Sequence, residues 1–177
     1  MDQIYTHPKR KTKVVFVQLG SPSEPTTKAL RKYLRKFLGD PRVIDINPWL
    51  WKIILNFFVL PFRPKKSAKL YARIWDGKSF PLITNTRDFT NNVREELKKI
   101  DPNGHVEVNH AFLLSPPYVN EVYDSWEDDL KKGIGATKLL VIPMFPQYSE
   151  STIASGIDAL AKELSKRVKI PTFEVIT

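Results

Sequence analysis

Four short apolar, β-branched runs separated by helix-length segments restrict this chain's fold more than any other feature. Lys13 to Leu19 (KVVFVQL) reads as a buried strand ending at Gly20. His105 to Leu113, Thr137 to Met144 and Thr172 to Ile176 read as three more. Thr26 or Thr27 caps a helix over Lys28 to Leu38, with Leu30, Tyr33, Leu34, Phe37 and Leu38 at helical spacing. Asp40-Pro41 breaks it, and Val43 to Ile46 is expected to be a short extended piece. Later helices are expected over Asn85 to Lys99, over Val119 to Lys132, and from a Ser151 or Thr152 cap to Arg167. This alternation predicts an α/β fold with an open, mainly parallel four-stranded sheet and helices on both faces. Residues 1–12 read as a flexible basic tail, and 13–177 as a single α/β domain. In such sheets ligands bind beyond the carboxyl ends of the strands. Three loops fall there: Gly20 to Thr26, Leu114 to Tyr118 and Phe145 to Ser151.

One helix departs from the amphipathic pattern. Asn47-Pro48 opens it, and from Trp49 to Leu60 its only polar side chains are Lys52 and Asn56, four residues apart and so on one face. Pro61 and Pro64 end it, and a basic helix is expected from Lys65 to Trp75. The apolar helix is too short to span a bilayer, which takes about 20 residues. It is either a fully buried core helix or an interfacial patch with Trp49 and Trp51 at headgroup level. The surrounding charge favours interfacial or ligand-cleft use. The chain carries a net +9, and Lys28 to Arg73 holds twelve Lys and Arg against two acids. Such a field attracts nucleic acid, anionic lipid or an acidic small molecule.

Several chemistries are excluded. The absence of cysteine rules out disulfides, thiolate metal sites and a cysteine nucleophile. GxGxxG, GxxxxGK[ST], GxSxG and HExxH are all missing. His7 falls in the tail, while His105 and His110 share a strand at odd separation and so point to opposite faces, making no metal site together. The hydroxyls of Ser149, Ser151 and Thr152 gather at a helix start, which suits either an anionic group or plain N-capping.

Three segments carry a family resemblance. VQLGSPSEPTTKALRKYLRKFLGDPRVIDIN is similar to the opening of bacterial ferrochelatases, with their LGTP-like turn and YLxxFLxDxRV helix. LPFRPKKSAKLYARIWDGKSFPLITNT resembles the segment that follows, and VIPMFPQYSESTIASGIDAL resembles the PLYPQYSxSTxGS loop and helix. Ferrochelatases insert ferrous iron into protoporphyrin IX, the last step of protoheme synthesis, in a cleft between two similar α/β domains. The resemblance implies a porphyrin or heme ligand, ferrous iron as substrate and no covalently bound cofactor. It implies an apolar lip over residues 47–64 and a cytoplasmic protein in peripheral contact with an anionic membrane surface. Porphyrin contacts would fall to Leu19, Ser21 and Pro22, to Tyr33 and Leu34, and to Trp51, Leu55 and Phe58 in the lip. Phe112 and Leu114 would add to them, as would Gln147, Tyr148, Ser149, Ser151 and Thr152.

Two departures shape the functional expectation. The family's MRYGxPSI-like loop reads Phe112-Leu113-Leu114-Ser115-Pro116-Pro117-Tyr118-Val119, so Leu113-Leu114 replaces an Arg-Tyr pair. The family's SxHGxP histidine and later acidic residue would lie beyond Thr177, so no catalytic residue and no metal ligand is assigned. The expectation is a chelatase half that needs a second half or a homodimer partner. The alternative is a catalytically inactive porphyrin- or heme-binding protein. Nucleic acid is not expected as a partner, because the basic segment lacks a reading element.

Overall fold

A computed structural model describes residues 11–133 and 136–176. Residues 1–10 of the expected tail, with His7, lie outside the described residues. Four strands form the sheet: β1 (Thr12–Gln18), β2 (Val106–Phe112), β3 (Lys138–Pro143) and β4 (Thr172–Val175). All pairings are parallel and the spatial order is β2-β1-β3-β4.

The helices are α1 (Thr27–Leu38), α2 (Pro48–Ile54), α3 (Arg63–Tyr71), α4 (Pro81–Ile100), α5 (Val119–Lys131) and α6 (Ser155–Leu164). Alternate residues of β1 serve opposite faces, as the pleat requires. Val15 and Val17 pack with Tyr123 and Trp126 of α5 and Leu160 and Leu164 of α6. Val14 and Phe16 pack with Val93 and Leu97 of α4. Helices therefore cover both faces.

The first helices build a second, smaller core beside the strand ends. Tyr33, Leu34 and Leu38 of α1 pack on Leu55 and Leu60, with Trp51, Val59 and Leu114 against the cluster. Thr26 caps α1 by accepting a bond from Ala29 N at 3.2 Å.

Three local expectations are corrected. Val43 to Ile46 forms no strand, because Val43 N and Ile44 N both bond back to Asp40 O and curl the chain into a turn. The apolar helix is not continuous: α2 passes into a π-helical turn over Leu55–Val59. The last helix also begins with a π-helical turn, Glu150–Ala154, and its N-cap is Ser149 rather than Ser151 or Thr152. Ser149 O accepts from Thr152 N and Ile153 N, which places the start two residues early.

The outer strand β2 carries two unusual side chains. Arg94 of α4 donates to Val108 O at 2.7 Å and to Asn109 Oδ1 at 3.1 Å. His110 lies half-buried with its Nδ1 shielded and without a hydrogen-bond partner. Burial, then the guanidiniums of Arg94 and Arg87, push its imidazole below the ordinary histidine value. The unfolded chain therefore takes up this proton first as pH falls. Stability is fully present above about pH 6.5, and is lost as pH drops from there toward the depressed folded value. Urea unfolding between pH 7.5 and 5 should show this loss, at no more than about 1.4 kcal/mol per pH unit for one proton. His110→Leu should flatten that slope; an unchanged slope would place its origin elsewhere.

Candidate functional site

The strand-end loops are fastened to one another by backbone bonds. Leu113 N donates to Gln18 O and Leu114 N to Leu19 O, both at 3.0 Å. Met144 N donates to Val17 O, and Gln18 Nε2 returns to Met144 O, both at 2.8 Å. Ser21 N donates to the Ser115 hydroxyl at 3.3 Å. Gly20 makes this junction possible, with a φ of +93° that disfavours any side chain.

Two adjoining grooves open over these loops. The larger, about 440 Å³, runs between α1, the 75–80 turn and the 114–118 loop. Tyr33, Trp75 and Phe80 supply aromatic lining, and Ser21, Ser115 and Tyr118 supply hydroxyls. The aromatic side chains form a continuous series. Tyr33 lies 6.1 Å from Tyr71, Tyr71 5.5 Å from Phe80, and Phe80 4.7 Å from Trp75, each pair edge to face. Burial, followed by the neighbouring Tyr71, raises the Tyr33 phenol far above the ordinary tyrosine value, so it stays protonated. Lys32, Lys36 and Lys78 also line this groove. The smaller groove, about 150 Å³, is lined by Leu19, Phe37, Leu113, Leu114 and Ser151. Leu114 lines both grooves. Asp158, also on the smaller groove, receives Arg42 Nε at 2.5 Å and Nη2 at 3.0 Å, joining the turn after α1 to α6. Arg42 holds this carboxyl below the usual carboxylate range.

The expected contact residues fall in different places. Ser21, Pro22, Tyr33 and Leu114 line the larger groove, while Leu19 and Ser151 line the smaller. Leu34, Leu55 and Phe112 are buried and act as the packing beneath. Gln147 and Tyr148 are exposed on the 145–149 loop. Ser149 and Thr152 are bonded to each other, hydroxyl to hydroxyl at 2.5 Å. Trp51 is half-buried, its indole donating to Leu38 O at 2.6 Å, whereas Phe58 points outward.

The lip over 47–64 is not a fully buried helix. Leu55 and Leu60 anchor it, while Trp49, Phe57 and Phe62 stand 78%, 70% and 72% exposed. Lys52 places its ammonium 5.8 Å from the Trp49 ring centroid. Among the described residues no helix is long and apolar enough to cross a membrane. No group of three or more His, Asp or Glu is placed to hold a metal ion among them either. His105 sits just before β2, paired with Asp101 at 2.9 Å, away from both grooves.

Lys36, Trp75 and Lys78 line the groove without having been singled out in sequence, and Ser115 and Tyr118 lie in the expected Leu114 to Tyr118 loop without having been named as contacts. Lys36 fell within the basic segment, but charge counting cannot say which face of α1 meets a loop some 80 residues away.

Comparison with known proteins decides the family: the ferrochelatase family model matches residues 11–177. This chain belongs to the ferrochelatase family. It is 41% identical over 164 residues to a ferrochelatase of Idiomarina loihiensis, covering 93% of this chain and 43% of that protein. It is 40% identical over 163 residues to a ferrochelatase of Actinobacillus pleuropneumoniae, covering 92% and 49%. It is 39% identical over 169 residues to a coproporphyrin III ferrochelatase of Streptococcus mutans, covering 95% and 50%. The chain thus spans about half the length of the curated ferrochelatases it matches.

Proposed function

We propose that this chain is the porphyrin-holding half of a chelatase that inserts ferrous iron into protoporphyrin IX, acting with a second half or a second copy. The observation that carries the reading is the larger groove. Aromatic lining, hydroxyls and a cationic rim suit a flat apolar ring that ends in carboxylates. The division of labour follows from its chemistry. Insertion requires removal of two pyrrole protons, and a base that titrates near neutral pH serves that step best. The groove offers only lysines and phenols for it, and Tyr33 is held protonated. This half therefore binds and orients the ring, and excludes water from its apolar face. The base and the delivery of iron, a substrate here, belong to the partner. A second reading, an inactive porphyrin or heme binder, draws support from Leu113-Leu114, two apolar side chains where the family's loop resembles an Arg-Tyr pair.

Titration of the purified chain with protoporphyrin IX and with heme tests both readings. Binding is expected, with insertion of zinc or ferrous iron appearing only when the C-terminal half of a relative is supplied. Absence of binding overturns both readings. Failure of that second half to restore insertion favours the inactive binder, and insertion by the chain alone excludes it.

We further propose that the protein sits on the cytoplasmic side of an anionic membrane, with the lip in contact with it. Exposed Trp49, Phe57 and Phe62 offer the apolar face. Arg63, Lys65, Lys66 and Lys69, all exposed, offer the charge.

A further inference from the structure

We propose that a third cavity, lined from β1, β2, α4 and α5, is a binding site for a small oxyanion, a phosphate or a carboxylate, held by Lys13, Arg94 and His110. It measures about 230 Å³ and shares no lining residue with either groove over the strand ends. That is room for a small ion, and less than the roughly 300–1,000 Å³ that drug-sized ligands occupy.

Among the described residues only two buried side-chain polar atoms lack a hydrogen-bond partner, Lys13 Nζ and His110 Nδ1. Both residues line this one cavity. Folded proteins leave few such groups, because each costs about 1–3 kcal/mol, and more when charged. Two at one cavity mark a place where something else completes the bonding.

The charges decide for an anion over water. Lys13 stands opposite Glu107 in the β1–β2 register and is 1% exposed. Its ammonium lies 3.3 Å from Glu107 and 3.6 Å from Asp129 of α5, close enough to offset charge, yet donates to neither. The nearer oxygen, Glu107 Oε1, already accepts from Asn109 Nδ2 at 2.6 Å. The ammonium donors are therefore left to whatever fills the cavity.

Arg94 adds a cation with no acid of its own. Besides Val108 O and Asn109 Oδ1 it donates to Asn91 Oδ1 at 3.0 Å, all neutral acceptors. Among the described residues no carboxylate lies within ion-pair distance of it. His110 registers the resulting field, since the guanidiniums of Arg94 and Arg87 add to burial in keeping its imidazole neutral. Glu121 is the acid on the lining, and one of its oxygens is committed to Tyr118 N at 3.0 Å. The lining thus sets two fixed cations against one acid. An oxyanion accepts from the ammonium, from the guanidinium and from a neutral imidazole carrying its proton on Nδ1, and it offsets the charge that water leaves standing. Ser125, exposed on α5, adds a hydroxyl to the same cavity.

The test follows the histidine ring resonances of the purified chain by NMR at about pH 7.5, where a histidine of lowered pKa is neutral. His110→Gln assigns the signal. Sodium phosphate and sodium acetate are each titrated at constant ionic strength, with sodium chloride as the reference. At least one is expected to shift the His110 signal saturably and to leave His105, paired with Asp101, unmoved. The tighter of the two names the class of oxyanion. Lys13→Met should weaken that binding about tenfold or more. Because Lys13 is buried, Ser125→Glu is the second variant. It alters no buried side chain, sets a like charge at the cavity, and should also weaken binding about tenfold. Circular dichroism checks that each variant folds. If phosphate and acetate shift His110 no more than chloride does, the cavity holds water only and the proposal is overturned. A dissociation constant unchanged in folded Ser125→Glu also overturns it, and places the ion elsewhere on this basic chain.

Discussion

Gly20→Ala is expected to destabilise the chain by about 2–4 kcal/mol and to abolish ligand binding by the groove. Two independent costs act at this position. The φ of +93° lies where an L side chain is strained, of the order of 1–3 kcal/mol. A methyl placed there would also lie within 2.4 Å of the Ser115 hydroxyl oxygen and 3.1 Å of Phe112 Cβ. Ser115 and Phe112 are both buried, and Phe112 N is held by Pro117 O at 2.8 Å, so little can yield. The bond from Ser21 N to the Ser115 hydroxyl breaks first, which leaves the seam between the first two strand-end loops to the Leu113 N–Gln18 O and Leu114 N–Leu19 O bonds. Urea denaturation with parallel porphyrin titration measures both effects. An alanine variant that keeps its midpoint and its ligand would show the turn to be pliable.

Replacing Trp49, Phe57 and Phe62 together by serine should remove most binding to anionic vesicles, by tenfold or more. Each exposed aromatic side chain contributes roughly 1.5–3 kcal/mol when moved from water into an apolar layer. All three are more than two-thirds exposed, so the substitution leaves the interior intact. Leu55 and Leu60, which anchor the lip, are untouched. Vesicle co-sedimentation reads the first effect, and an unchanged thermal midpoint the second. Raising salt should weaken what remains, because the basic residues beyond the lip act through screened charge. Retention of full vesicle binding by the triple variant would remove the lip from any membrane role.

The sheet was legible because its determinants are local. KVVFVQL and TKLLVIPM can bury themselves only as strands, and the intervening segments are long enough for crossover helices. The Thr26 cap was equally plain, a hydroxyl ahead of a periodic run. The two π-helical turns were not. One extra residue in a turn leaves an apolar run apolar, and neither Leu55–Val59 nor Glu150–Ala154 carries a Gly or Pro to mark it. The Val43 to Ile46 segment looked extended by composition, but its amides are claimed by Asp40. At the site, Tyr33, Ser21 and Leu114 followed from strand ends and family likeness. Lys36 and Tyr118 could not, because their meeting is a fact of tertiary packing across 82 residues. The buried positions of Leu34, Leu55 and Phe112 have the same origin, since a likeness to contact residues does not say which side chains reach the surface.

The guanidinium of Arg94 has a consequence for growth of the sheet. By occupying Val108 O and Asn109 on β2, it blunts one border of the sheet against any added strand. The other border, β4, carries no such guard among the described residues, and Phe173 there is exposed. The sheet is therefore directional. Of the two borders among the described residues, β4 is the one whose backbone no side chain caps, and it lies across β1 and β3 from the guanidinium.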